Sequence, residues 1–315
     1  MTLKKFFALL LLPLVFLAVG CGTESKQGNN AELGSLTIGL MPDTDSLPFI
    51  IAQEKGYFAE EGLQVELRQF KSAMDRDSAL QSGNLDGAVS DMLAAAFAKD
   101  GGFDVKVTSM TDGSYKMIAA PGEGKVSVQA LSGKEVAVSR NTIIEYVTDH
   151  ILASSGMADD AIEKVVIPQI PTRLEMLQTG KLAAATLPEP MAAIAVHNGC
   201  RFVAGSDELG INPGVILFTG KAAKDKAQEI KAMYRAYNKA VDYLNHADRS
   251  EYIDIAVAKG GFPPAAKEAL ALPAYHPASL PKESDVTDCI AWLKDKALIK
   301  TAYGYNDVVL DLLAP

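Results

Sequence analysis

The chain has 315 residues, of which 48% are hydrophobic, 22% charged and 7% aromatic, a balance typical of a globular protein. At about 150 residues per domain, this length predicts two domains, each large enough to bury its own core. The formal charge of −9 repels the phosphate backbone of nucleic acids, so we expect no nucleic-acid partner.

Residues 1–20 have the pattern of an export signal. Lys4 and Lys5 precede an apolar run that ends at Val19 and is followed by the small residue Gly20. The run is shorter than the roughly 20 residues that a membrane-spanning helix needs. We therefore expect residues 1–20 to be removed as a signal peptide, with the remaining chain outside the cytoplasm.

Residues 17–21, Leu-Ala-Val-Gly-Cys, resemble a bacterial lipobox, in which the cysteine is lipidated and becomes the new N-terminus. Ala18 stands where this motif usually has Leu. The residues after Cys21 are polar, and 21–34 is predicted to be the lipidated cysteine and a tether without regular structure. The alternative is an ordinary secreted protein with a chance cysteine. Two further cysteines, Cys200 and Cys289, require no disulfide framework.

From residue 35 onward, short strand patterns alternate with helical patterns, which is typical of an α/β fold. The first round predicts strands at 36–41, 65–70, 87–90 and 105–110, with helices that begin near Ser46, Ser72 and Asp91. A second round predicts strands at 135–139, 164–168, 183–187 and 201–204, with helices that begin near Thr142, Thr172 and Pro190.

An internal repeat supports two similar lobes. Residues 80–89 and 177–186 match in order, with a helix end, a glycine stop and a buried strand in both copies. A strand at 215–219 and a mainly helical tail follow. We predict two doubly wound lobes. Residues 35–113 plus 215–315 form the first lobe and 114–214 the second, joined by a hinge of two chain crossings, with the tail packed on the first lobe.

In doubly wound sheets, ligands bind beyond the carboxyl ends of the strands. The polar residues that follow the predicted strands are therefore the candidate ligand-binding residues. They are Asp45, Ser46, Lys71, Ser72, Ser90, Asp91 and Asp112 in the first lobe, and Arg140, Asn141 and Thr142 in the second. Helix capping is the alternative role for the Ser, Thr and Asp residues of this set.

Glu189, within Leu-Pro-Glu-Pro, is a further candidate. Pro190 keeps Glu189 out of the helical region and suits the first turn of a helix, so the carboxylate is held beside a helix N-terminus at a strand end. We expect it to face the cleft and to accept hydrogen bonds from a ligand. A favourable interaction with the helix dipole is the alternative.

Signals for catalysis and for metals are weak. The sequence has no nucleophile elbow, zinc-protease motif, Walker loop or paired Cys-x-x-Cys, and its four histidines are scattered without ligand spacing. Asp43, Asp45, Asp91, Asp112 and Glu189 lack the spacing of a calcium loop. We predict no catalytic residues, no bound metal and no cofactor.

Several stretches carry a family resemblance: Leu-Pro-Phe-Ile-Ile-Ala from residue 47, Lys-Gly-Tyr-Phe from residue 55, Glu-Gly-Leu-Gln-Val-Glu from residue 61 and Ser-Gly-Asn-Leu-Asp from residue 82. The chain resembles the solute-binding proteins of nitrate, sulfonate, taurine and thiamine-precursor ABC importers. Leu-Gln-Thr-Gly and Leu-Pro-Glu-Pro extend the resemblance into the second lobe.

The resemblance implies a type 2 periplasmic-binding-protein fold that closes on a small-molecule solute and delivers it to an ABC permease with its ATPase. We expect the protein to be a monomer. The only membrane contact would be the lipid on Cys21. Arg140 and Lys71 suit an acidic group, whereas the acidic residues favour a solute that also carries donors, so a zwitterion, a sulfonate or an aminopyrimidine is expected. Two alternatives stay open. One is an enzyme of the same fold, of the pyrimidine synthase or chorismate dehydratase type; the other is a tethered ligand sensor.

Overall fold

A computed structural model describes residues 33–313 of the chain. The predicted signal peptide, the lipidation site Cys21 and most of the predicted tether lie outside the described residues. Within 33–313, no helix is both long enough and apolar enough to cross a membrane.

The strands of residues 33–313 form two five-stranded sheets. In chain order they are β1 (Ser35–Leu40), β2 (Gln64–Gln69), β3 (Gly87–Asp91), β4 (Val105–Met110), β5 (Tyr115–Ala119), β6 (Glu135–Val138), β7 (Glu163–Val166), β8 (Ala184–Pro188), β9 (Arg201–Gly205) and β10 (Gly214–Thr219).

The two sheets share one topology. Their strand orders are β2-β1-β3-β10-β4 and β7-β6-β8-β5-β9. In each sheet the fourth strand, β10 or β5, runs antiparallel to both of its neighbours, and it is the first strand after the chain has crossed from the other sheet. The predicted two-lobed α/β class with two crossings is confirmed. The prediction missed β5, and the observed strand ends differ from the predicted ones by a residue or two.

The helices of the two lobes begin largely where the capping residues predict. They are α1 (Leu47–Glu54), α2 (Tyr57–Glu60), α3 (Ala73–Gln81), α4 (Met92–Asp100), α5 (Ile143–Ser154), α6 (Ile170–Gln178), α7 (Met191–His197) and α8 (Ser206–Leu209). Ser72, Asp91 and Thr142 each accept a hydrogen bond from a backbone N–H in the first turn of the helix that follows. Helix α6 begins two residues before the predicted Thr172, since its first turn accommodates Pro171.

The tail is helical, with α9 (Gly220–Asp225), α10 (Ala227–His246), α11 (Arg249–Lys259), α12 (Ala266–Ala269), α13 (Glu283–Asp295) and α14 (Tyr305–Val308). Helix α10 packs on α1 and α2 with an apolar face whose residues are buried: Ile230, Met233, Tyr234, Tyr237, Val241 and Leu244. Helix α13 packs on α4 of the first lobe. The tail also reaches the second lobe, because α12 contacts α7 and Trp292 of α13 stacks edge-on against Tyr146.

Candidate ligand-binding site

A cavity of about 40 Å³ lies between the two lobes, at the carboxyl ends of strands from both sheets. We call it the interlobe cavity. Its polar wall consists of Asp43, Asp45, Arg76, Ser90 and Asp91 from the first lobe and Tyr115, Ser139, Thr142 and Arg173 from the second. Both lobes therefore contribute polar residues to one cavity.

Hydrogen bonds join the lobes around this cavity. The backbone N–H of Thr44 donates to the carbonyl oxygen of Glu189 at 2.9 Å, and that of Ile170 donates to the carbonyl oxygen of Lys71 at 3.0 Å. The hydroxyl of Tyr115 donates to Oδ2 of Asp45 at 2.6 Å. These contacts hold the lobes together in a closed arrangement.

Two carboxyl groups of the first lobe lie in the loop after β1. Burial raises the pKa of Asp43 to about 6, even though its Oδ1 accepts hydrogen bonds from the backbone N–H and the hydroxyl of Ser46. Burial and the nearby Asp43 raise the pKa of Asp45 well above its usual value, and the hydrogen bond from Tyr115 opposes that rise. Burial thus favours the protonated form of both carboxyl groups.

Arg76 and Asp91 form a buried pair in the same lobe. Nη2 of Arg76 lies 3.9 Å from Oδ2 of Asp91 and 2.8 Å from Oδ1 of Asp77. Oδ1 of Asp91 accepts a hydrogen bond from the backbone N–H of Ala94, and burial raises the pKa of Asp91. The guanidinium of Arg76 therefore has its counter-charge within the chain.

Arg173 of α6 is fully buried and differs from Arg76 in its partners. Its Nη1 donates to the carbonyl oxygen of Ile167 at 2.7 Å and its Nε to that of Thr186 at 2.9 Å. It forms no ion pair with any residue of 33–313, and burial lowers its pKa to about 10. The group stays positively charged at neutral pH and is held only by neutral carbonyl oxygens.

Four residues that line the cavity each have one buried polar atom without a hydrogen-bond partner among the described residues: Oδ1 of Asp45, Nη2 of Arg76, Oγ of Ser90 and Nη2 of Arg173. Of these, Nη2 of Arg76 lies within ion-pair distance of Asp77. A buried polar group without a partner lowers the stability of the folded state by roughly 1–3 kcal/mol, so such groups are rare in protein interiors. Their presence on one cavity is what a ligand-binding site requires, since a ligand can supply the missing partners.

The structure brings some of the predicted site residues to this cavity: Asp45, Ser90, Asp91 and Thr142 line it. Ser46 and Ser72 are buried beside it but act within their own loops. Ser46 accepts from the backbone N–H of Met41, and Ser72 caps α3.

The other predicted residues engage elsewhere. Lys71, Arg140 and Asn141 are exposed, and Asp112 accepts hydrogen bonds from the backbone and ring nitrogens of His276 in the tail.

Glu189 is buried, but its carboxylate does not line the cavity. Oε1 accepts from Nζ of Lys116 at 2.5 Å, and Oε2 accepts from the backbone N–H of Ala193 in the helix that follows. The backbone of Glu189, rather than its side chain, reaches the other lobe. The position of this side chain fits the alternative, a favourable interaction with the helix N-terminus, better than the predicted contact with a ligand.

The predicted set of ligand-binding residues lacks five polar residues of the wall: Asp43, Arg76, Tyr115, Ser139 and Arg173. The two arginines lie just upstream of the internal repeat, and extending that comparison by four residues would have paired them. Tyr115 belongs to β5, whose five residues carry too little pattern to stand out. Asp43 lies in the same strand-end loop as Asp45, and Ser139 is the last residue of a predicted strand.

No group of three or more His, Cys, Asp or Glu residues within 33–313 is arranged to hold a metal ion. Cys200 and Cys289 are buried and not bonded to each other.

Comparison with known proteins identifies the family of this chain. The NMT1-like family matches residues 29–258 of the chain. A Bacillus subtilis protein named for binding aliphatic sulfonates is 22% identical over 259 residues, which cover 78% of this chain and 77% of that protein. The family predicted from the sequence motifs is confirmed.

Solved structures show the same fold. The alkanesulfonate-binding protein SsuA from Xanthomonas axonopodis pv. citri, bound to MOPS, has a TM-score of 0.75 at 19% identity, covering 89% of this chain and 99% of that one. The periplasmic nitrate-binding protein NrtA from Synechocystis PCC 6803 has a TM-score of 0.63 at 18% identity, covering 71% and 66%. These relatives are binding proteins, in agreement with the prediction that this chain is not an enzyme.

Proposed function

Because this chain belongs to the NMT1-like family, we propose that it is the solute-binding component of an ABC importer. It binds a small polar organic solute of the zwitterion, sulfonate or aminopyrimidine type in the interlobe cavity and releases it unchanged to a permease. The observation that carries this proposal is the interlobe cavity itself, which is lined from both lobes by residues with buried polar atoms that lack partners among the described residues.

The mechanism is differential affinity between an open and a closed form. A solute that contacts Asp45 on one lobe and Arg173 on the other makes its full set of contacts only when the lobes are closed. Solute binding therefore shifts the equilibrium toward the closed form, which is the form that the permease recognises. No bond within the solute is made or broken.

The cavity wall favours a solute with more than one kind of polar group. The acidic residues of the first lobe suit hydrogen-bond donors, and Arg173 of the second lobe suits an acceptor or an anion. A cavity of this size, about 40 Å³, suits a small molecule rather than a polymer. We retain Asp45, Ser90, Asp91 and Thr142 as ligand-binding residues and add Arg173 and Tyr115.

The proposal also covers where the protein works. Export through residues 1–20 and lipidation at Cys21 would attach a monomer to the outer face of the cell membrane by the lipid alone. The polar segment after Cys21 would then let the folded body reach its permease partner.

Mass spectrometry of small molecules released from the purified protein tests the function. We expect one compound at close to one per chain, and we expect its chemical structure to be unchanged after incubation with the protein. Release of no compound, together with no uptake defect on deletion of the gene, would argue against a transport role. Turnover of the compound would favour an enzyme.

A further inference from the structure

The two buried arginines of the cavity wall occupy equivalent positions in the two lobes. Arg76 and Arg173 are each the fourth residue of a nine-residue helix, α3 and α6, and both helices end in Leu-Gln followed by Ser or Thr and then Gly. Each arginine donates a hydrogen bond to the carbonyl oxygen of the third residue of a strand, Val89 in β3 or Thr186 in β8. The repeated architecture thus places one guanidinium at the same point of each lobe.

The two positions differ in counter-charge. Arg76 lies beside Asp77, the next residue of α3, and Asp91, the last residue of β3. The equivalent residues of the second lobe are Leu174 and Pro188, which are apolar. Both carboxylates that neutralise the first arginine are therefore missing at the second.

Arg173 is consequently a buried cation without an anion. Its exposed fraction is 0%, it forms no ion pair within the described part of the chain, and its Nη2 has no hydrogen-bond partner there. Buried charges are normally paired, because removing an ion from water costs several kcal/mol that only a counter-ion and full hydrogen bonding offset. The described part of the chain leaves this requirement unmet at a residue that lines the cavity.

We propose that Arg173 binds an acidic group of the solute, which supplies the counter-charge that Leu174 and Pro188 do not provide. This inference rests on the proposed function and narrows it to solutes that carry a carboxylate, sulfonate or similar anionic group. It also orients the solute, with its acidic group toward the second lobe and its hydrogen-bond donors toward the unpartnered Oδ1 of Asp45.

The chain offers a matched control. Arg201 also donates to backbone carbonyl oxygens, those of Ala120 and Glu123, but it does not line the cavity. Arg201→Gln therefore removes a guanidinium of the second lobe without touching the site. Arg173→Gln removes the charge, and Arg173→Lys keeps the charge while losing the planar fork.

The experiment compares the purified full-length protein with these three variants. Released small molecules are identified and counted per chain by mass spectrometry. After removal of bound solute, thermal unfolding is followed with taurine, ethanesulfonate and ethylamine, which share a two-carbon chain and differ in their acidic and amino groups. Circular dichroism verifies that each variant is folded.

We expect the released compound to carry an acidic group. We also expect Arg173→Gln to retain about tenfold less of it, the loss expected for a charge-assisted hydrogen bond, with Arg173→Lys between that variant and the wild type. Arg201→Gln should retain as much as the wild type. Among the probes, those with a sulfonate should raise the unfolding temperature of the wild type more than that of Arg173→Gln.

Two outcomes would overturn the inference while leaving the proposed function intact: a released compound without an acidic group, or equal retention by wild type and Arg173→Gln. If Arg173→Gln does not fold, the retention of the compound by Arg173→Lys and the chemical structure of the released compound still test the inference. Absence of any released compound, with no response to any of the three probes, would overturn the inference and the proposed function together.

Discussion

The hydrogen bond between Tyr115 and Asp45 gives the most direct measure of how the cavity wall is stabilised. Both side chains are almost fully buried, and the hydroxyl of Tyr115 lies 2.6 Å from Oδ2 of Asp45. Because Oδ1 has no partner within residues 33–313, Tyr115→Phe would leave the carboxyl group without its closest donor. A hydrogen bond to a charged group contributes about 1.5–3 kcal/mol and one between neutral groups about 0.5–1.5 kcal/mol.

The destabilisation caused by Tyr115→Phe should depend on pH in a defined direction. The pKa of Asp45 is raised in the folded chain, so the folded state holds this proton more tightly than the unfolded state does. Its contribution to the free energy of unfolding is therefore largest at low pH and falls as the pH rises through its folded pKa. Tyr115→Phe removes a donor that lowers this pKa, so in the variant the fall should be larger and should continue to higher pH. The destabilisation by Tyr115→Phe should be about 1 kcal/mol greater at alkaline than at acidic pH.

Urea denaturation between about pH 5 and pH 9 measures this difference. The control is a second buried tyrosine, Tyr234, whose hydroxyl has no carboxylate partner among the described residues. Tyr234→Phe removes a hydroxyl that lies 2.5 Å from the neutral hydroxyl of Thr108, and its effect should not vary with pH. If Tyr115→Phe and Tyr234→Phe show the same destabilisation at every pH, the carboxylate of Asp45 does not depend on the phenol and the reasoning fails.

Three further predictions concern individual side chains. Glu189→Gln should lower the free energy of unfolding by about 1–2 kcal/mol through loss of the Lys116 ion pair. It should change solute retention by less than about threefold, since the carboxylate is bound by Lys116 and Ala193; a tenfold loss of retention would show that Glu189 contacts the solute. The pKa of Asp43 is raised to about 6, so between about pH 4 and 6 its stabilising contribution should fall by up to about 3 kcal/mol as the pH rises, a slope that Asp43→Asn should lack in urea titrations. With Cys21 replaced by Ser, Cys200 and Cys289 should not react with a thiol reagent until the protein is unfolded, and rapid modification of the native protein would contradict their burial.

The sequence by itself determined the class of fold and most of its elements. Alternating strand and helix patterns located nine of the ten strands of the described residues, because strands buried on both faces read as short apolar runs bounded by glycine or polar turns. Capping residues such as Ser72, Asp91 and Thr142 marked helix starts, since a cap is a local interaction that needs no tertiary partner. The repeat of residues 80–89 at 177–186 likewise revealed two similar lobes.

The direction in which each side chain points was decided only by the tertiary structure. Asp91 and Glu189 both follow a strand and precede a helix, but Asp91 faces the cavity whereas the carboxylate of Glu189 turns to Lys116 of the antiparallel strand β5. Likewise, nothing local to Arg173 reveals its missing counter-charge. That absence becomes visible only when the packing of two lobes shows which carboxylates lie within reach, because charge pairing depends on distance in space and not on distance along the chain.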